Sequence, residues 1–132
     1  MVLLLDTNVC IYLIREKPRS ILERFNELAV GDIGISVITL AELEYGVSKS
    51  SKPAKNKAAL DQFVTPLEVG AFDRSATAVY GKLRATLEKK GQSIGSMDLL
   101  IAAHALSLNV RLVTHNVREF SRVPGLRVET WE

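Results

Sequence analysis

Three carboxylates in this chain sit where carboxylates are costly. Asp6 ends the apolar run Val2-Leu3-Leu4-Leu5. Glu42 lies within Ile38-Thr39-Leu40-Ala41-Glu42-Leu43. Asp98 opens Met97-Asp98-Leu99-Leu100-Ile101-Ala102-Ala103. A carboxylate moved from water into apolar surroundings is expensive unless it is paired or coordinates a metal. Three of them suggest mutual use, and a hard divalent cation would supply it. Mg²⁺ or Mn²⁺ takes oxygen ligands and binds through a few carboxylates together with water and substrate phosphate. Each acid also has a purely structural reading. Thr39-x-x-Glu42 fits a helix capping box. Ser96-Met97-Asp98 fits an N-cap followed by a first-turn acid favoured by the helix dipole. Asp6 could cap the helix that follows it. A first-turn acid can both cap and bind metal, so the case rests on the three acids together.

The elements that must position these acids alternate between strand and helix. Val2 to Leu5 reads as a buried parallel strand. Val9 to Ile14 is helical in spacing and is broken at Lys17-Pro18, and a second helix is expected from about Arg19 to Leu28. Gly31 to Ser36 reads as a turn and a second strand, followed by a helix from about Thr39 to Val47. Ser48 to Lys57 is polar and basic, and is expected to be a loop leading into a helix through Phe63. Leu67 to Val69 is a third strand. Asp73 to Lys90 carries an amphipathic stripe of Ala76, Val79, Tyr80, Leu83 and Leu87. Ser96 to Leu108 is an almost wholly apolar helix, Arg111 to Thr114 a fourth strand, and Arg127 to Thr130 a candidate fifth. This order predicts an α/β fold with a central parallel sheet of four to five strands covered on both faces. In such sheets, functional groups gather at the carboxyl ends of the strands. Asp6 directly follows the first strand there, and His115-Asn116 directly follow the fourth.

Composition narrows the class. The 132 residues point to one domain over 1–132, large enough for a core without disulfides. A net charge of +2 permits a nucleic-acid partner without arguing for one. The single cysteine, Cys10, rules out an intramolecular disulfide and a cysteine-rich zinc site, and fits a reducing cytoplasmic setting. No apolar run approaches a membrane span, and the apolar start is too short for a signal peptide.

Four segments taken in order resemble the motifs of PIN domains. They are Leu5-Asp6-Thr7-Asn8, Ser36 to Gly46 around Glu42, Ile94 to Ala105 around Asp98, and Val113-Thr114-His115-Asn116-Val117-Arg118-Glu119-Phe120. The resemblance covers essentially the whole chain. The length, the Thr114 to Phe120 ending and Trp131 resemble VapC toxins within that family. The resemblance implies a Rossmann-like α/β/α sandwich and Mg²⁺- or Mn²⁺-dependent RNA cleavage leaving 5′-phosphate and 3′-hydroxyl ends. It further implies homodimerisation and inhibition by a VapB antitoxin. On this view Asp6, Glu42 and Asp98 hold the cation, while Thr7, Asn8, Thr114 and Ser96 support them. Many PIN domains carry an aspartate where this chain has Asn116. Asn116 is neutral but can accept a bond from a bound water, so it is retained as a site residue, with Glu119 a weaker substitute acid. Asn116-x-x-Glu119 also fits a capping arrangement for a short helix.

RNA would have to be held by basic residues. Lys49, Lys52, Lys55 and Lys57 form one cluster, and Arg84, Lys89 and Lys90 another; both also fit solvated faces. The family resemblance makes a tRNA loop a candidate target, and no residue specifies which RNA. An antitoxin segment could lie on Ile11, Tyr12, Ile14 and Phe25, although most of these read better as core positions. A HAD phosphatase is disfavoured because Asp6-Thr7-Asn8 lacks the second aspartate. A response-regulator receiver is disfavoured because Leu67-Glu68-Val69-Gly70 offers no phosphorylated aspartate. The remaining alternative is a catalytically weak PIN-like RNA-binding module. His104 and His115 lack zinc-ligand spacing with Cys10; His104 reads as a satisfied helix residue and His115 as a neighbour of the site.

Overall fold

The apolar run near the start of the chain becomes the middle strand of the sheet. The computed structural model describes residues 1–29 and 31–131. Its elements are β1 (Leu3–Leu5), α1 (Thr7–Glu16), α2 (Arg19–Asn26), β2 (Ile33–Ser36), α3 (Val37–Ser48) and α4 (Pro53–Val64), then β3 (Glu68–Gly70), α5 (Arg74–Lys89), α6 (Ser96–Leu108), β4 (Arg111–Val113), α7 (Val117–Phe120) and β5 (Val128–Glu129). The five strands are all parallel, in the order β3-β2-β1-β4-β5. Strand order reverses between β1 and β4, and the carboxyl ends of these two strands border the crevice where such sheets bind ligands.

Side-chain alternation along β1 builds two cores from one strand. Leu3 and Leu5 join Val9, Leu13, Leu43 and Leu60 under α1, α3 and α4. Leu4 faces the other way and joins Leu83, Leu87, Ile101 and Ala105 under α5 and α6. On β4, Leu112 and Val113 divide between the same two clusters. The α5 stripe behaves as its spacing predicts: Ala76, Leu83 and Leu87 are buried, and Val79 and Tyr80 pack against the second cluster.

Three local expectations are corrected. The helix carrying Glu42 starts at Val37, directly from β2, with Ser36 as its N-cap accepting from Ile38 N at 3.0 Å. Thr39 is therefore inside the helix, and the Thr39/Glu42 capping box does not form. Gly95, not Ser96, caps α6. The stretch read as a loop up to Lys57 is helical from Pro53, which sits at a helix start where its missing N–H costs nothing.

Candidate active site

Asp6 is fixed by the sheet and by its own helix. Its backbone N–H donates to Val113 O at 3.0 Å, so the side chain emerges at the β1–β4 edge. Oδ1 accepts from Val9 N at 2.8 Å, which makes Asp6 the N-cap of α1. Oδ2 accepts from the Thr114 hydroxyl. Thr114 is itself held, since its N–H donates to Glu129 O at 3.0 Å and its Oγ1 accepts from Asn116 N at 2.9 Å. Asp6 is only 2% exposed. Burial raises its pKa, and the nearby Glu42 charge adds to the rise against opposing bonds from Thr114 and Val9 and the pull of His115. The capping reading and the site reading thus hold together for this residue.

Glu42 reaches the same edge from α3. The Thr7 hydroxyl donates to its Oε1 at 2.6 Å, and Thr7 Oγ1 lies 3.2 Å from the buried Thr39 Oγ1. From the sequence Thr39 reads only as a helix cap, not as a neighbour of the site. A threonine beside a threonine–carboxylate bond leaves no local signal when its partner is 32 residues away.

Asp98 is half-buried in the first turn of α6. Its pKa rises to about 7, first through burial, then through a hydrogen bond to the Glu119 carboxyl and the charges of Glu119, Asp6 and Glu42. Glu119 moves the other way. Burial would raise it, but the Gly95 N–H, Asp98, Asn116 and the Arg122 charge outweigh that and lower it. Asp98 is therefore the weaker acid of the two, and Glu119 ionises first. Gly95 N donates to Glu119 Oε1 at 3.0 Å and Asn116 Nδ2 to Oε2 at 2.8 Å. Asn116 makes no side-chain cap bond to α7; its amide orients Glu119 instead. Glu119, weighted lightly from sequence, is thus the acid nearest to Asp98 in hydrogen-bonding terms.

The supporting residues divide. Thr7 and Thr114 bond the acids directly. Asn8 is exposed and lines the adjoining groove. Ser96 is exposed and forms no side-chain hydrogen bond among the described residues; it borders a separate small cavity with Tyr80, Arg84 and Glu88. The groove beside the acids has a volume of about 660 Å³ and runs from Thr7, Asn8 and Glu42 over an apolar floor that includes Ile11, Ile14 and Leu60. Arg15, Tyr45 and Lys49 stand on its walls. Tyr12 lies elsewhere, edge-on to His115, and Phe25 borders a different cavity. Lys57 is tied to Glu44 and Asp61, and Arg84 to Glu88. Of the basic residues singled out, Lys49 is the one on the groove, with its ammonium 5.0 Å from the Tyr45 ring centroid.

The donor set is compatible with a hard cation. Asp6, Glu42, Asp98 and Glu119 supply only oxygen, and burial followed by the neighbouring acids pushes the pKa of Asp98 up to about 7. Among the described residues no three acidic, histidine or cysteine groups form a ready-made metal cage. An ion bound beside these acids would keep several waters and complete its shell with substrate phosphate, as Mg²⁺ does.

A PIN domain family model matches residues 3–126. Ribonuclease VapC2 of Rickettsia felis is 48% identical over 133 residues, covering 100% of this chain and 99% of the relative. A tRNA(fMet)-specific endonuclease VapC of Shigella flexneri is 46% identical over 128 residues, covering 97% and 96%. The crystal structure of VapBC2 from Rickettsia felis bound to a promoter DNA fragment aligns at a TM-score of 0.96 with 47% identity over 100% of both chains.

Proposed function

The chain belongs to the PIN-domain family, and from that premise we propose that it is a VapC-type endoribonuclease, a single domain over 1–132, whose Asp6, Glu42 and Asp98 hold Mg²⁺ or Mn²⁺ with Glu119 beside them. The observation that carries this reading is the gathering of four carboxylates at the β1–β4 edge with Asp98 pushed up to about 7. When bound, the cation would activate a water and offset the charge on the scissile phosphate. The rest is the work of the chain's own groups. Thr114 and the Val9 N–H fix both oxygens of Asp6, and Thr7 aims Glu42. Asp98 would act as a ligand in its ionised form, which a pKa of about 7 makes available at neutral pH and above. Gly95 and Asn116 hold Glu119 beside Asp98 as a charged carboxylate. Asn116 therefore acts through Glu119, which restores the negative charge that an asparagine lacks.

RNA, and a tRNA in particular, is the substrate this reading favours, because the Shigella relative is a tRNA(fMet)-specific endonuclease. A VapB-type antitoxin is the proposed partner, since the Rickettsia neighbour is a VapBC complex. The groove over Ile11, Ile14 and Leu60 opens beside Glu42, so a segment laid along it would cover the acids. A cytoplasmic homodimer completes the proposal; among the described residues no helix is long and apolar enough to cross a membrane.

The test is cleavage of a labelled tRNA pool by purified protein with Mg²⁺, with Mn²⁺ and with EDTA, beside Asp98→Asn. Discrete metal-dependent products that vanish in the variant support the reading. A folded protein that binds the RNA and leaves it intact would move it to a non-catalytic RNA-binding module.

A further inference from the structure

His104 is a buried polar residue that the acid cluster does not use. It sits within Ile101-Ala102-Ala103-His104-Ala105 on α6, all buried, and is itself 1% exposed. Nδ1 lies 2.7 Å from Ser36 Oγ. Ser36 ends β2 and caps α3, and its Oγ already accepts from Ile38 N. The hydroxyl proton is therefore free to be donated to Nδ1, which leaves the imidazole proton on Nε2. Nε2 is the one buried side-chain nitrogen or oxygen among the described residues with no hydrogen-bond partner. Burial keeps the imidazole neutral by lowering its pKa; the Ala71 backbone and Asp73 pull less strongly the other way, without a bond of regular geometry. The ring is also held sterically. A Cβ on Gly70, the register partner of Ser36 on β3, would stand 3.2 Å from Cε1, and Phe72 meets the ring edge-on at 5.4 Å.

An apolar residue would fill this place without leaving a polar atom orphaned. What the histidine adds is a link between two helices. Ser36 lies six residues before Glu42, and His104 six residues after Asp98, each about 9 Å of helix. Glu42 and Asp98 repel one another across that gap. Among the described residues, the His104–Ser36 bond is the one side-chain hydrogen bond that joins α6 to the cap and body of α3.

We propose that His104 is a positioning residue which, by its bond to Ser36, sets the spacing between the helices that carry Asp98 and Glu42, and with it the affinity of the acid cluster for a divalent cation. This rests on the reading of that cluster as a cation site.

Two substitutions separate positioning from bulk. His104→Leu fills the space and loses the bond. His104→Asn leaves a smaller side chain but keeps a polar atom where Nδ1 stands. Each is titrated with Mn²⁺ by calorimetry, and its unfolding midpoint is measured in EDTA. His104→Leu is expected to weaken Mn²⁺ binding about tenfold, in the range seen when groups that orient ligands are lost. His104→Asn stays close to wild type even where it is the less stable protein. Ser36→Ala matches His104→Leu, and the double variant is no worse than either single. If a histidine variant fails to fold, Ser36→Ala against Ser36→Thr, which keeps the hydroxyl, answers the same question. Affinity that follows stability, or Mn²⁺ binding unchanged when the bond is lost, overturns the proposal. Wild-type protein that binds no Mn²⁺ overturns the cation-site reading itself.

Discussion

The α3–α4 surface and the carboxyl edge of the sheet both concentrate charge, and they treat it in opposite ways. On the surface, Lys57 Nζ stands 2.6 Å from Glu44 Oε2 and 3.0 Å from Asp61 Oδ1, so each acid has a base within reach. The pKa of Lys57 rises because those two carboxylates stabilise its charged form. At the edge, Asp6, Glu42 and Asp98 have no ion pair among the described residues, and the pKa of Asp98 rises through burial and the like charge of its neighbours. The first arrangement is that of a solvated face, where exposed pairs contribute little net stability. The second costs stability and is kept at the strand ends where parallel sheets carry their function. A cluster of acids kept at such a cost is where function is expected.

The contrast can be broken most sharply at its centre. Asp98→Asn should lower RNA cleavage by more than about a hundredfold, since loss of an orienting group alone typically costs 10–100-fold. Retained cleavage under the same metal would remove Asp98 from the site. Thr114→Val strips Asp6 Oδ2 and Asn116 N of one partner while keeping the volume. It should cut apparent Mn²⁺ affinity roughly tenfold or more in a cleavage-versus-metal titration, and an unaltered titration would make that hydroxyl dispensable.

The next effect is on pH. The folded-state pKa of Asp98, about 7, lies above its unfolded value of about 3.9. Between these limits the folded protein binds more protons, so metal-free stability falls as pH rises through that window. Asp6 acts in the same sense, and Glu119, shifted down, in the opposite one. Urea unfolding in EDTA across this range should show the decline, flattened in Asp98→Asn; a stability that climbs with pH to 7 would contradict it. The smallest effect belongs to the surface. Lys57→Ala should leave cleavage unchanged and the unfolding midpoint nearly so, and a marked loss of either would mean that α4 takes part in the site.

How much could be read beforehand follows from how local each signal is. Asp6 was legible because it ends an apolar run that reads as a buried strand, and Asp98 because it opens an apolar helix, whereas Thr114 was named only through the family resemblance. The start of α3 was not legible. Val37-Ile38-Thr39 is β-branched, which puts the expected helix start at about Thr39, whereas Ser36 ends β2 and caps the helix directly. The polar lysines of residues 52–57 read as loop although Pro53 suits a helix start. The spacing of Asn116 and Glu119 could not tell a backbone cap from a bond between side chains. The Gly95 N–H that fixes Glu119 comes from 24 residues away. Ser36 and His104 are 68 residues apart, so nothing near either residue announces the other.

The most direct test of the acid cluster as a cation site needs no substrate. Thermal unfolding of the wild type and of Asp98→Asn would be followed in EDTA and in excess Mn²⁺, above the pKa of Asp98. The account predicts that Asp98→Asn is the more stable protein in EDTA, because one repelling charge is gone, and that Mn²⁺ raises the midpoint of the wild type far more than that of the variant. A variant no more stable in EDTA, or one raised by Mn²⁺ as much as the wild type, would contradict it.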